Sequence, residues 1–99
     1  MTVITYHEIM TGVKRKRGEK EERFFRRFFS NVPILNFSVK EAEESSNIAS
    51  RLASRGITVN AMDVLIAGMM VANGIKKIAT SDRDFEKIAR VADIEVVFY

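Results

Sequence analysis

The stretch Lys77-Ile78-Ala79-Thr80-Ser81-Asp82-Arg83-Asp84-Phe85 reads as a short strand, a polar turn and the opening of a helix. Ile78 and Thr80 alternate with small or charged residues, and β-branched residues fit a half-buried pleat. Asp82 or Ser81 then stands where a helix N-cap belongs, ahead of a helix starting near Arg83. Working back, Asn60-x-x-Asp63 opens another helix, whose body from Val64 to Ala72 is apolar almost all round and therefore deeply buried. Gly74 is placed to end it. Working forward, Ile94 to Phe98 is a β-rich final strand. A helix between two strands argues for parallel pairing, since parallel strands need a crossover.

The rest of the chain follows the same grammar. Ser38-x-x-Glu41 is a capping box, and its helix carries Val39, Ala42, Ile48, Ala49, Leu52 and Ala53 and stops at Gly56. Val32 to Phe37 is a short apolar run and reads as a third strand. Residues 19 to 30 read as a helix with a double stripe, Phe24, Phe25, Phe28 and Phe29, beside Arg23, Arg26 and Arg27. Such a stripe packs into a core or a protein interface more often than it stacks on bases, and a small domain does not easily bury both halves. Thr5-x-x-Glu8 is another capping box, opening a helix with Tyr6, Ile9, Met10 and Val13 on one face. The basic run Lys14, Arg15, Lys16 and Arg17 reads as a loop or frayed turn with the chemistry to contact phosphates. Its plain alternative is a solvated surface. Met62, Met69 and Met70 read as core filler.

Ninety-nine residues, 46% of them apolar, suffice for one domain with a real core. The absence of cysteine excludes disulfides, thiolate zinc sites and thiol nucleophiles. No apolar run reaches the ~18 residues of a bilayer span, and no secretory pattern opens the chain. The expectation is a cytoplasmic protein with no membrane partner. The net charge of +3 is compatible with a polyanionic ligand where the basic residues cluster.

Glu8, Asp63 and Asp82 each have a structural explanation: closing a capping box, complementing a helix dipole, capping a helix. Together they say more. Each sits at or near a helix N-terminus, and in parallel α/β domains these termini gather at the carboxyl edge of the sheet. Carboxylates brought together repel, and a hard cation such as Mg²⁺ or Mn²⁺ relieves this with oxygen ligands. His7, the only histidine, points away from Glu8 on a helix, so zinc or iron fits poorly.

Val3-Ile4-Thr5-Tyr6-His7-Glu8-Ile9, Asp63-Val64-Leu65-Ile66-Ala67 and Ile78-Ala79-Thr80-Ser81-Asp82-Arg83-Asp84-Phe85 resemble, in order and spacing, the successive motifs of PIN domains, especially VapC-type toxins. The resemblance implies a three-layer α/β fold, a small parallel sheet flanked by helices, over residues 1–99 as a single domain. It implies a Mg²⁺- or Mn²⁺-dependent endoribonuclease, a hydrolase of RNA phosphodiesters from a toxin-antitoxin pair. It assigns Glu8, Asp63 and Asp82 as catalytic metal ligands, Asp84 as an alternative ligand, and Thr80 as a hydroxyl beside the metal. Lys14, Arg15, Lys16, Arg17 and Arg83 are the candidates for holding RNA. The partners implied are RNA, an antitoxin protein, and a second copy in a homodimer or higher oligomer. PIN domains resemble a chain opening with a central strand that bears an aspartate; here nothing before Thr5 supplies it, so an N-terminally truncated domain is expected. The rival expectation is a catalytically inactive PIN-like module that self-associates or binds a partner protein. A receiver-like or flavodoxin-like regulatory domain is a third, and its acidic pair adjoins a first strand that is missing here.

Overall fold

The computed structural model describes residues 1–16 and 18–99. They form α1 (Val3–Lys16), α2 (Glu19–Phe29), α3 (Val39–Ser54), α4 (Ala61–Ala72), β1 (Lys77–Thr80), α5 (Asp84–Ile88) and β2 (Glu95–Phe98). The chain divides into two compact units, Met1–Asn36 and Phe37–Tyr99.

In the first unit, α1 starts one turn earlier than the sequence suggests. The Thr2 hydroxyl accepts the Thr5 N–H at 3.1 Å, so Thr2 rather than Thr5 is the cap, and Glu8 lies beyond the capping turn. Lys14, Arg15 and Lys16 are not in a loop: they form the last turn of α1, where positive charge complements the helix dipole. Ile4, Met10 and Val13 are buried. The phenylalanine stripe divides in two: Phe29 is buried, with its ring centroid 4.7 Å from Tyr6 and 6.1 Å from Phe25, while Phe24 and Phe28 are exposed.

The strand expected over Val32–Phe37 does not form. What remains is a single parallel bridge between Thr2 and Leu35, with Val3 N–H to Leu35 O at 2.9 Å and Leu35 N–H to Met1 O at 2.8 Å. The facing chain coils into α1 after Thr2, which leaves no extended partner beyond Leu35, while on the other side Pro33 O accepts from the Met1 amino group at 3.3 Å. Among the described residues the sheet therefore has two strands rather than three.

In the second unit, β1 and β2 pair in parallel with Lys77 opposite Glu95 and Thr80 opposite Phe98, and α5 forms the crossover. The α/β class expected from the sequence holds. Ile48 and Leu52 of α3, most of α4 from Asp63 to Met70, and Phe85 and Ile88 of α5 are buried. Each large side chain so buried contributes about 1.5–3 kcal/mol. Met69 and Met70 fill the core as expected; Met62 does not, since it lies on the exposed side of the first turn of α4. Gly56 and Gly74 adopt φ of 69°, the left-handed geometry that ends α3 and α4.

α3 and α4 touch backbone to backbone. A Cβ at Gly68 would come within 2.5 Å of Ser45 Cβ and 2.6 Å of its Cα and N, so only glycine fits. About one turn further toward the N-terminus of α3 and the C-terminus of α4, the same two helices are tied by Glu41. Its buried carboxylate accepts the Ser38 N–H at 3.0 Å, the Ser38 hydroxyl, and the Asn73 side-chain N–H at 3.2 Å. The capping box read at Ser38 is formed, and Asn73 extends it to the C-terminus of α4.

Gly68→Ala is expected to lower stability by about 1–3 kcal/mol through overpacking. Gly12→Ala, in open space within α1, is expected to raise it by about 0.5–1 kcal/mol. Urea denaturation of both variants measures the contrast. The Ser38 hydroxyl bond, with the Ser38 and Asn73 N–H bonds, holds the Glu41 carboxyl below its ordinary pKa against the opposing effect of burial. Its stabilising contribution is therefore complete above the ordinary glutamate pKa of about 4.3 and is lost as pH falls through the depressed folded value. Glu41→Gln is expected to flatten the acid limb of a stability-against-pH curve followed by circular dichroism.

Candidate metal centre

The end of β1 passes into α5 through a turn held by its own side chains. The Thr80 hydroxyl accepts the Asp82 N–H at 3.0 Å, and Asp82 Oδ1 accepts the Asp84 N–H at 3.0 Å. The N-cap position of α5 is Arg83 rather than Asp82 or Ser81, and Asp82, one residue earlier, accepts the first N–H of the helix. Asp84 Oδ2 then accepts the N–H of Asn60 at 2.8 Å, and Asn60 Oδ1 accepts the N–H of Met62 at 2.9 Å. This relay of short polar side chains bonded to nearby N–H groups is the ordinary chemistry of Asx and Thr turns. Here it fastens the β1–α5 turn to the first turn of α4, where Asp63 sits.

The result is a convergence of three acids. One carboxylate oxygen from each of Asp63, Asp82 and Asp84 lies within 4.8 Å of the others. Asp63 is buried, Asp84 half-buried and Asp82 exposed. The Asp84 N–H bond, and after it a side-chain hydrogen bond with Asp63, hold the Asp82 carboxyl below its ordinary pKa. Two carboxyl groups bond to each other only through a proton between them, and a cation is the other way to hold such groups together. Hard oxygen donors, no nitrogen or sulfur among them, and a mouth open at Asp82 suit a divalent ion of the Mg²⁺ or Mn²⁺ type.

The structure brings together three of the residues singled out in the sequence, and Asp84 stands beside Asp82 rather than in place of it. Thr80 orients the turn by accepting the Asp82 N–H. Arg83 lies over the Phe98 ring at 4.3 Å, which holds its guanidinium at the same turn. Glu8 belongs to the first unit, exposed on α1, with no hydrogen bond or ion pair among the described residues. Lys14, Arg15 and Lys16 are exposed in that unit; Arg17 lies outside the described residues. Sequence reading missed Asn60 as the tether of Asp84. It is legible as an N-cap, but nothing local links it to a residue 24 positions away.

The sequence matches the PIN domain family over residues 1–91, and the chain belongs to that family. Among curated proteins, it is 27% identical over 86 residues to the tRNA(fMet)-specific endonuclease VapC of Salmonella typhimurium. That match covers 86% of this chain and 65% of the relative, so the chain spans just under two thirds of that protein's length. A chain in the crystal structure of VapBC2 from Rickettsia felis, bound to a DNA fragment from its promoter, superposes with a TM-score of 0.81 at 22% identity, covering 98% of this chain and 71% of the other. VapBC-5 from Mycobacterium tuberculosis, a member of the VapBC family of toxin-antitoxin systems, gives 0.82 at 21% identity, covering 99% and 79%. The α/β fold is that of the VapC-like PIN structures.

Thr80→Val is expected to free the Asp82 N–H while keeping the β-branched shape at the strand end. Hydrogen exchange should speed at the Asp82 and Asp84 amides and stay unchanged at the buried centre of α4.

Proposed function

We propose that this chain is a VapC-like, metal-dependent endoribonuclease, the toxin member of a toxin-antitoxin pair, acting on RNA phosphodiesters in the cytoplasm. The observation that carries the reading is the set of three carboxylates at the carboxyl end of β1, in a chain of the PIN family. Asp63, Asp82 and Asp84 would hold Mg²⁺ or Mn²⁺. Glu8, in the other unit, enters the reading through its motif alone. Such an ion, when bound, polarises a phosphate oxygen and lowers the pKa of a water ligand.

The chain's own residues supply the remainder. The relay through Thr80, Asp82, Asp84 and Asn60 presets the carboxylate positions, so little reorganisation is needed when a ligand arrives. Arg83, held against Phe98, offers a guanidinium to a phosphate oxygen. Lys14, Arg15, Lys16 and Arg17 add positive charge for the RNA backbone. The resemblance also brings neutralisation by an antitoxin protein and assembly as a homodimer into this reading.

The test is Mn²⁺ titration by calorimetry together with cleavage of a labelled RNA. Asp63→Ala and Asp82→Ala are each expected to abolish measurable Mn²⁺ binding. They should lower cleavage by about 100-fold or more, beyond the ~10–100-fold typical of losing an outer-shell partner. Glu43→Ala, an exposed acid on α3, should change neither. Wild-type protein that binds no ion and cleaves no RNA would leave the PIN fold in a non-catalytic role.

A further inference from the structure

Lys87 stands one helical turn beyond Asp84 on α5, with its ammonium 3.9 Å from Asp84 Oδ1. The same ammonium donates to the backbone carbonyl of Thr58 at 3.5 Å. Two residues further on, that stretch of chain presents the Asn60 N–H to Asp84 Oδ2. Lys87 is therefore anchored where the α3–α4 connection meets α5, at the edge of the acid cluster. Its side chain is still 45% exposed, so the ammonium also faces solvent. An ammonium carries three N–H groups. The carbonyl of Thr58 takes one. The contact with Asp84 is an ion pair, too long for a direct hydrogen bond. Among the described residues no other acceptor takes the remaining donors.

Arg83, four residues before Lys87, has helical backbone angles, φ −69° and ψ −15°. The two cations are thus neighbours one turn apart, a spacing at which like charges repel. Each is nevertheless fixed from outside the helix, Arg83 by the Phe98 ring at 4.3 Å and Lys87 by Thr58. An anion that reaches both removes the repulsion. The basic run at the end of α1 belongs to the other unit, so within the second unit these two side chains are the cations fixed beside the aspartates. We propose that Lys87 is a substrate-binding residue of this site: its unused N–H groups take a non-bridging phosphate oxygen of the RNA strand lying over the acid cluster, and Arg83 takes another. The strand then crosses the first turn of α5 from Arg83 to Lys87. The proposal rests on the nuclease reading above and adds to it a named contact and a path for the backbone. A bare surface ion pair between Lys87 and Asp84 is the plain alternative, and such pairs contribute little.

The test compares the wild-type chain with Lys87→Met, Lys87→Arg and Lys76→Met. Lys76 precedes β1, at the opposite end of the strand from the cluster, and pairs with Asp93. Fluorescence anisotropy reads binding of a short labelled oligouridine over a range of salt, in Ca²⁺, a hard cation for the same oxygen ligands. Cleavage is read in Mn²⁺, and Mn²⁺ affinity by calorimetry. Lys87→Met is expected to weaken oligouridine binding by about 10-fold at low salt. It should also reduce the slope of log affinity against log salt by about 0.7–1, the loss of one phosphate contact. Lys87→Arg should keep the slope, and Lys76→Met should leave it unchanged. Mn²⁺ should bind Lys87→Met no less tightly than the wild type, because a positive charge beside the site has been removed. An unchanged slope in Lys87→Met, or an equal fall in Lys76→Met, would overturn the proposal. So would weaker Mn²⁺ binding in Lys87→Met with the slope intact, which would make Lys87 a prop for Asp84. A wild-type chain that binds the strand through Lys87 and cleaves nothing refutes only the nuclease reading. Cleavage equal in rate and salt dependence in wild type and Lys87→Met refutes only the role of Lys87.

Discussion

Backbone contact between α3 and α4 at Ser45 and Gly68 is the constraint on which the second unit depends. Helices normally pack with their axes 8–10 Å apart, and a closer approach needs a residue without a side chain at the crossing. Gly68 is that residue. With α3 this near, α4 is buried along most of its length, and its first turn has little freedom to shift. Glu41 and Asn73 tie the same pair at the opposite end of α4. Asp63 is therefore carried by a helix whose position is fixed by packing, which fixes its carboxylate within the converging cluster.

The acidic cluster is assembled by two different means. Asp63 is placed by packing, through the burial of α4. Asp82 and Asp84 are placed by short-range hydrogen bonds in a turn that has little apolar content of its own. The bond from the Asn60 N–H to Asp84 joins the two systems, so the turn takes its position from the core rather than from β1 alone. Such joining matters where the sheet has two paired strands among the described residues, because a small sheet offers limited support to the loops at its edge. Exposed ion pairs such as Lys77 with Glu95 at 3.9 Å reinforce the strand register but add little stability, typically about 0–1 kcal/mol.

The two units distribute chemistry unequally. The second holds the converging aspartates; the first holds the basic surplus and the exposed phenylalanine seam. In α2 one helix serves both interior and surface, because its four-residue repeat sends one phenylalanine row inward to Tyr6 and leaves the other outside. The exposed Phe24 and Phe28 lie beside Arg23 and Arg27, which have no ion-pair partner among the described residues.

Element type was legible in the residues wherever the signal was local. The capping box at Ser38 and Glu41, the cap at Asn60, the glycines at 56 and 74 and the turn after Thr80 all act within one helical turn of themselves, so the sequence alone determined α3, α4, β1, α5 and the α/β class. Readings that depended on distant partners went differently. Val32–Phe37 has strand composition, yet the early coiling of α1 leaves it a single bridge. Thr5 looked like a cap because Thr2, three residues earlier, gave no stronger local sign. Asp84 appeared as a substitute for Asp82, and only the fold set them side by side with Asp63, since convergence is a property of where chain segments meet. That Gly68 is irreplaceable and that Asn60 holds Asp84 were decided by tertiary structure alone: each depends on a contact more than 20 residues away, and no local pattern encodes it.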